Sequence, residues 1–218
     1  MFSAKRRSEA YESMTVLLAA LPPDGNYSLH ADESRSSRVK LFAPHGGCIE
    51  PGTDQIVVEL AGREYDYFLF RGRRKADCYK TLHVTSVRYD EPNCLRMADA
   101  SLLALSIHGC DSREEFIEIG GTNHGAVAEL RLHLDRGGYR TTLPPAGRQG
   151  SEAGNFINRS KLGGVQLELS AGFRASLFPG FPRTDQRHPT AFREFIAAMR
   201  SWLAATDASL GSQPTPRP

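Results

Sequence analysis

Apolar residues fall along this chain in short clusters whose spacing alternates between two periods. Residues 39–43 (VKLFA), 66–70 (DYFLF), 82–87 (LHVTSV), 102–107 (LLALSI), 116–119 (FIEI) and 165–170 (VQLELS) have the length and branched or aromatic content of strands. The 102–107 run is almost continuously apolar, as expected for a strand covered on both faces. Between these clusters the period lengthens. Residues 54–61, 123–136 and 190–205 carry apolar positions at helical spacing, and Gly137-Gly138 closes the second of these. A short amphipathic helix is expected before Pro22-Pro23, and a turn or short helix runs from Asp90-Glu91-Pro92 to Ala100. Residues 24–38, 44–53 and 71–75 read as loops. Alternation of strands and helices predicts an α/β domain with a mostly parallel or mixed sheet. The expected organisation is a leading helix and loop over 1–38, one catalytic domain over 39–206 and a disordered tail over 207–218.

Composition narrows the function classes. The 218 residues are 40% hydrophobic and carry a net charge of +2, which excludes a disordered chain and a strongly basic nucleic-acid binder. No stretch approaches the roughly 18 consecutive apolar residues of a membrane span. The basic start is followed by Ser8 to Ser13 rather than by an apolar core, so the expectation is synthesis in the cytoplasm without a signal peptide, compatible with release by lysis. Cysteines at 48, 78, 94 and 110 form no C-x-x-C, and reduced thiols are expected. Of the 27 basic residues, 22 are Arg and 5 are Lys. Codon usage accounts for such an excess, although arginine also suits bidentate binding of carboxylates.

In α/β sheets ligands sit beyond the carboxyl ends of strands, which directs attention to His45, His108 and Glu168. His45, Glu50 and His108 make a two-histidine, one-carboxylate set that leaves a coordination position of a catalytic zinc open. The glycines of Pro44-His45-Gly46-Gly47 allow the sharp turn that would return Glu50 to His45. The same residues also suit a capping Glu50 and a hydrogen-bonded His45. His124 and Glu129 share the spacing, but in a helix they lie roughly 140° apart and cannot chelate one ion. Glu168 shares a strand face with Gln166 and Ser170 and is the candidate general base. Asn158, Arg159 and Arg174 are candidates for holding a substrate carboxylate. His83 and Asp90 are candidates for orienting the ligands. Arg71, Arg73 and Arg74 form a basic loop that could meet a polyanion. Cys48 and Cys110 neighbour the proposed ligands and read as small buried residues rather than nucleophiles. There is no G-x-S-x-G, Walker loop or G-x-G-x-x-G.

Taken in order, A-P-H-G-G-C-I-E-P-G-T at 43–53, L-H-V-T-S-V-R-Y-D-E-P at 82–92, S-I-H-G at 106–109, Gly120-Gly121, N-F-I-N-R at 155–159 and G-V-Q-L-E-L-S at 164–170 resemble the poly-γ-glutamate hydrolases of bacteriophages and their bacterial relatives. The resemblance covers roughly residues 39–178. It implies a zinc-carboxypeptidase-like three-layer α/β/α fold with a central mixed sheet. It also implies zinc on His45, Glu50 and His108, with Glu168 as base and acid, and cleavage of γ-glutamyl amide bonds in poly-γ-glutamate; a monomer that binds neither nucleic acid nor membrane is expected. The resemblance places Asn158-Arg159 as the pair that receives a substrate carboxylate, with Arg174 and His83 in the cleft. Alternatives on the same residues are a zinc peptidase or N-acyl amino acid amidase for small acidic substrates, and a metal-containing module that binds polyanions without cutting them.

Overall fold

In the computed structural model, residues 9–212 are described. The chain runs through α1 (Met14–Ala20), β1 (Tyr27–Asp32), β2 (Val39–Gly47), α2 (Thr53–Ala61), β3 (Asp66–Gly72), α3 (Cys78–Leu82), α4 (Pro92–Ala100) and β4 (Leu103–Cys110). It continues through β5 (Ile117–Gly121), α5 (His124–Arg136), β6 (Thr141–Thr142), β7 (Gly164–Ser170), α6 (Ala171–Leu177) and α7 (Ala191–Ser212). The strands form one seven-stranded sheet in the order β1-β3-β2-β4-β7-β5-β6. The centre is parallel, from β3 through β2 and β4 to β7. β1 joins β3 antiparallel at one edge, and β5 joins β7 antiparallel near the other.

Helices cover both faces, as expected of an α/β/α domain. On one face Leu41, Leu105 and Leu167 of the sheet pack with Ile56 of α2, Leu130 of α5 and Phe195 of α7. On the other, Phe42, Phe68 and Ala104 pack with Met14 and Leu17 of α1 and Met97 of α4. Alternation along β4 puts Ala104, Ser106 and His108 on this second face. The face therefore turns from apolar to polar toward the carboxyl ends of β4 and β7, where Gln166 and Glu168 lie beside Ser106 and His108.

Three elements differ from the sequence expectation. Residues 82–87 alternate buried and less buried positions but pair with no strand. They cross the end of the sheet, and side chains take up the backbone groups there: Thr85 N–H donates to Glu9 Oε1 at 2.8 Å and Val84 O meets His45 Nε2 at 2.9 Å. The expected 24–38 loop contains β1, an edge strand whose mixed burial hides its period. α7 extends to Ser212, into the expected tail, and residues 213–218 lie outside the described part. Likewise, the basic residues at 5–7 lie outside it. No helix among the described residues is long and apolar enough to cross a membrane.

Candidate metal centre

β2 delivers His45 through a break in its own ladder. Its pairing with β3 runs regularly to Ala43 opposite Leu69 and resumes at Gly46 opposite Arg71, so Pro44 and His45 bulge out of register. A bulge re-aims a side chain at a strand end, and Pro44 has no N–H to lose from the ladder. The chain then turns tightly. Gly47 has φ 64, and the Cβ that any other residue would bring at Gly46 would lie 2.5 Å from Asp54 Cβ. Gly47 N–H donates to Asp54 Oδ1 at 3.0 Å, and Glu50 N–H donates to His45 O at 2.8 Å. The turn closes with the Glu50 carboxylate against His45.

His45 Nδ1 lies 3.2 Å from Glu50 Oε1 and 3.2 Å from His108 Nδ1, and His108 Nδ1 lies 3.7 Å from Glu50 Oε2. Donors on a tetrahedral cation at about 2.0–2.1 Å lie roughly 3.3–3.4 Å apart, so the two imidazole nitrogens and the Glu50 carboxylate, each oxygen toward one ring, stand near coordination spacing. His83 joins from the crossing segment. Donor atoms of His45, Glu50 and His83 all lie within 4.8 Å of one another, with His83 Nε2 3.9 Å from Glu50 Oε1.

The outer nitrogens fix the tautomers. A carbonyl only accepts, so His45 Nε2 carries the proton donated to Val84 O, which leaves Nδ1 with its lone pair. His83 Nδ1 lies 3.1 Å from the Glu9 carboxylate and donates to it, leaving Nε2 toward the cluster. Backing of a histidine by a carbonyl or carboxylate is the usual support of a metal ligand. Burial pushes both His83 and His108 down to about 3, so these imidazoles are neutral at ordinary pH. Burial alone would raise the Glu50 carboxyl. The histidines around it, His45 foremost and then His108 and His83, outweigh this and hold the pKa down at about 2. Two neutral imidazoles, a third beside them and an ionised carboxylate form a donor set suited to zinc.

Glu168 stands one strand away, opposite His108 across the β4–β7 ladder. Gln166 Nε2 donates to its Oε1 at 3.0 Å, and Asn155 holds Gln166 Oε1 at 3.0 Å. Desolvation, then the Glu50 charge, pushes the Glu168 carboxyl well above the usual carboxylate range. It is a buried acid poised to exchange a proton.

The poly-gamma-glutamate hydrolase family pattern matches residues 11–198. The chain belongs to that family. Among relatives, it is 38% identical to the UPF0714 protein YndL of Bacillus subtilis (strain 168) over 175 residues, 77% of this chain and 68% of that one. The fold superposes on a solved zinc-free apo form of YndL with TM-score 0.85 at 32% identity, covering 91% and 99% of the two chains. It superposes on a bacteriophage poly-gamma-glutamate hydrolase with TM-score 0.85 at 23% identity, covering 93% and 100%. The sheet and its helices are those of this hydrolase family.

Within the family fold, the residues expected to contact substrate have mixed fates. His83 enters the donor cluster itself. Arg174 is buried and donates to Leu169 O, Pro51 O and Cys110 O at 3.2, 3.0 and 3.1 Å. It ties the ends of β7 and β4 to the residue after Glu50 and has its guanidinium turned to the frame rather than to a cleft. Arg159 precedes β7, at the end of the sheet opposite His108, and grips Asp99 at 2.9 and 2.8 Å on the surface. Asn158 donates to Gly150 O and Glu152 O at 2.8 and 3.0 Å, anchoring a loop. Asp90 receives Thr15 N–H at 2.8 Å and seats α1, away from the ligands. In the basic loop, Arg71 is bonded to Asp54 at 2.6 Å and Arg74 to Asn26, which leaves Arg73 as its exposed member.

The cysteines also differ from expectation. Cys48, between His45 and Glu50, is joined to Cys78 by a disulfide. Cys110 is a free thiol pushed up to about 11 by burial, which leaves no thiolate for nucleophilic work. Two functional candidates escaped the sequence. Glu9 precedes every recognisable motif. Arg148 lies in a loop of no marked pattern and forks onto Glu118 with Nε–Oε2 2.8 Å and Nη2–Oε1 2.6 Å.

Proposed function

We propose that this protein hydrolyses the γ-glutamyl amide bonds of poly-γ-glutamate at a zinc site held by His45, Glu50 and His108, with Glu168 as the proton-transferring group. One observation carries the reading: the donors of His45, Glu50 and His108 stand near coordination spacing and lie one strand from a buried carboxyl of raised pKa. When bound, zinc supplies polarisation of a carbonyl oxygen and acidification of water. The chain's own residues do the rest. Val84 O and the Glu9 carboxylate keep the inward nitrogens of His45 and His83 bare, and Gly109 N–H at 2.9 Å steadies Glu50 Oε2. His83 Nε2 presents its lone pair 3.9 Å from Glu50 Oε1. In its ionised form Glu168 takes a proton from water and returns it to the departing amine, and Gln166 Nε2 orients the carboxyl by holding its Oε1.

Elemental analysis for zinc, paired with the size distribution of treated poly-γ-glutamate, tests this. Shortened polymer with about one zinc per chain is expected. Release of single amino acids without intermediate fragments would favour an amidase for small acidic substrates, and intact polymer from zinc-loaded protein would sink the hydrolase reading.

A further inference from the structure

We infer that Arg148 is the receptor for an α-carboxylate of the substrate and so sets the preference for γ-linked acidic chains. This deepens the function proposed above and rests on it. The sheet register places His108, Glu168 and Glu118 in one row across β4, β7 and β5, all on one face. Each step of such a row is about 4.8 Å. Glu118 therefore lies one step beyond the proton-transferring group and two beyond a metal-cluster histidine, and Arg148 sits on Glu118.

The pair fixes the direction of the guanidinium. The Glu118 side chain is 6% exposed and that of Arg148 is 41% exposed, so the carboxylate anchors the arginine from below while its outer edge meets solvent. Glu118 engages Nε and Nη2. Of the five donors of the fork, the Nη1 hydrogens and the second Nη2 hydrogen remain for another planar anion.

The loop is pinned where it must be. Gly121 N–H donates to Gln149 O at 2.8 Å, and a Cβ at Gly120 would lie 2.2 Å from that oxygen. Gln166 Nε2, which also holds Glu168, reaches Arg148 O at 3.4 Å.

The spacing matches the chemistry of a γ-glutamyl chain. On the leaving side, an α-carboxylate sits on the carbon bonded to the scissile nitrogen. On the acyl side, one sits at the far end of a short carbon chain from the carbonyl. Either falls within about one strand step of a carbonyl held over Glu168.

Binding and turnover are separated by using the full chain with Glu168→Gln and titrating a γ-linked glutamate oligomer by calorimetry. Adding Arg148→Gln should raise the dissociation constant roughly ten- to a hundred-fold, the range for losing a hydrogen bond to a charged group. Arg148→Lys should recover part of it. An oligomer with methylated α-carboxylates should bind both forms equally weakly. Adding Glu118→Gln to Arg148→Gln removes the bare carboxylate left beside residue 168 and should not restore affinity. Restored affinity there would overturn the inference, since the arginine would then only neutralise Glu118. An unchanged dissociation constant in Arg148→Gln would overturn it as well. Failure of zinc-loaded wild type to shorten the polymer would instead count against the hydrolase reading, and the binding result would stand by itself.

Discussion

The Nδ1 atoms of His45 and His108 face one another at 3.2 Å, from two strands that are parallel neighbours in the sheet. With Val84 O holding the proton of His45 on Nε2, the inward Nδ1 is a bare acceptor aimed at its counterpart. A cation shared by the two rings would take both inward lone pairs. Saturating zinc at a hundred times its dissociation constant should stabilise the fold by about 2.7 kcal/mol. For a chain of this size that is roughly 5–10 °C in melting temperature. The shift should disappear with a chelator and in His45→Ala. Thermal melts at fixed protein concentration check it.

Glu168→Gln keeps the side-chain shape and its neighbours Gln166 and Ser170 but removes the exchangeable proton. Turnover should fall by roughly a hundred- to ten-thousand-fold, with zinc content unchanged by elemental analysis. A similar fall in zinc content would assign Glu168 to holding the metal instead.

His83 and His108 compete for the place of third ligand, and Glu9 separates them. Among the described residues, Glu9 reaches the cluster through His83 and the neighbouring Thr85 and Arg88. Supporting groups of metal ligands are typically worth ten- to a hundred-fold in affinity. With His108 as ligand, His108→Ala should abolish tight zinc binding, and Glu9→Gln should change it less than threefold. Chelator competition measures both. A loss in Glu9→Gln as large as in His108→Ala would place His83 in the ligand set.

The Cys48–Cys78 bond closes a loop of sequence separation 30 that carries Glu50, α2 and β3. Constraint of the unfolded chain over such a loop is worth about 3–4 kcal/mol. Cys78→Ser should lower unfolding stability by that order in urea titration and should weaken zinc binding, since Cys48 lies between two proposed ligands. Treating the wild type with reductant should reproduce the first effect.

The central strands and the donors at their ends were legible from the chain. β4 and β7 are apolar enough to be read as buried, and a polar residue at the end of such a strand stands out. β1 was not legible, because a half-exposed edge strand carries no clean alternation. Residues 82–87 misled because burial alternates there as in a strand, yet their backbone bonds go to Glu9 and His45 instead of a ladder. Among the arginines, Arg159 and Arg174 sit in recognisable blocks, where they bond a surface aspartate and three carbonyls. Arg148 sits in an unmarked loop, and only the antiparallel register of β5 with β7 brings its partner Glu118 beside Glu168. Glu9 and the disulfide are likewise products of tertiary proximity.

The acidic groups around the site have an electrostatic consequence. Glu50 is ionised, Glu118 is paired with Arg148 and Glu168 is pushed toward its neutral form, so the metal-free centre offers a polyanion no attraction, and a net charge of +2 over the whole chain is too small to supply it. A divalent cation between His45, Glu50 and His108 reverses the local sign. On the proposed zinc reading, loading would govern capture as well as chemistry, the ion preceding the polymer.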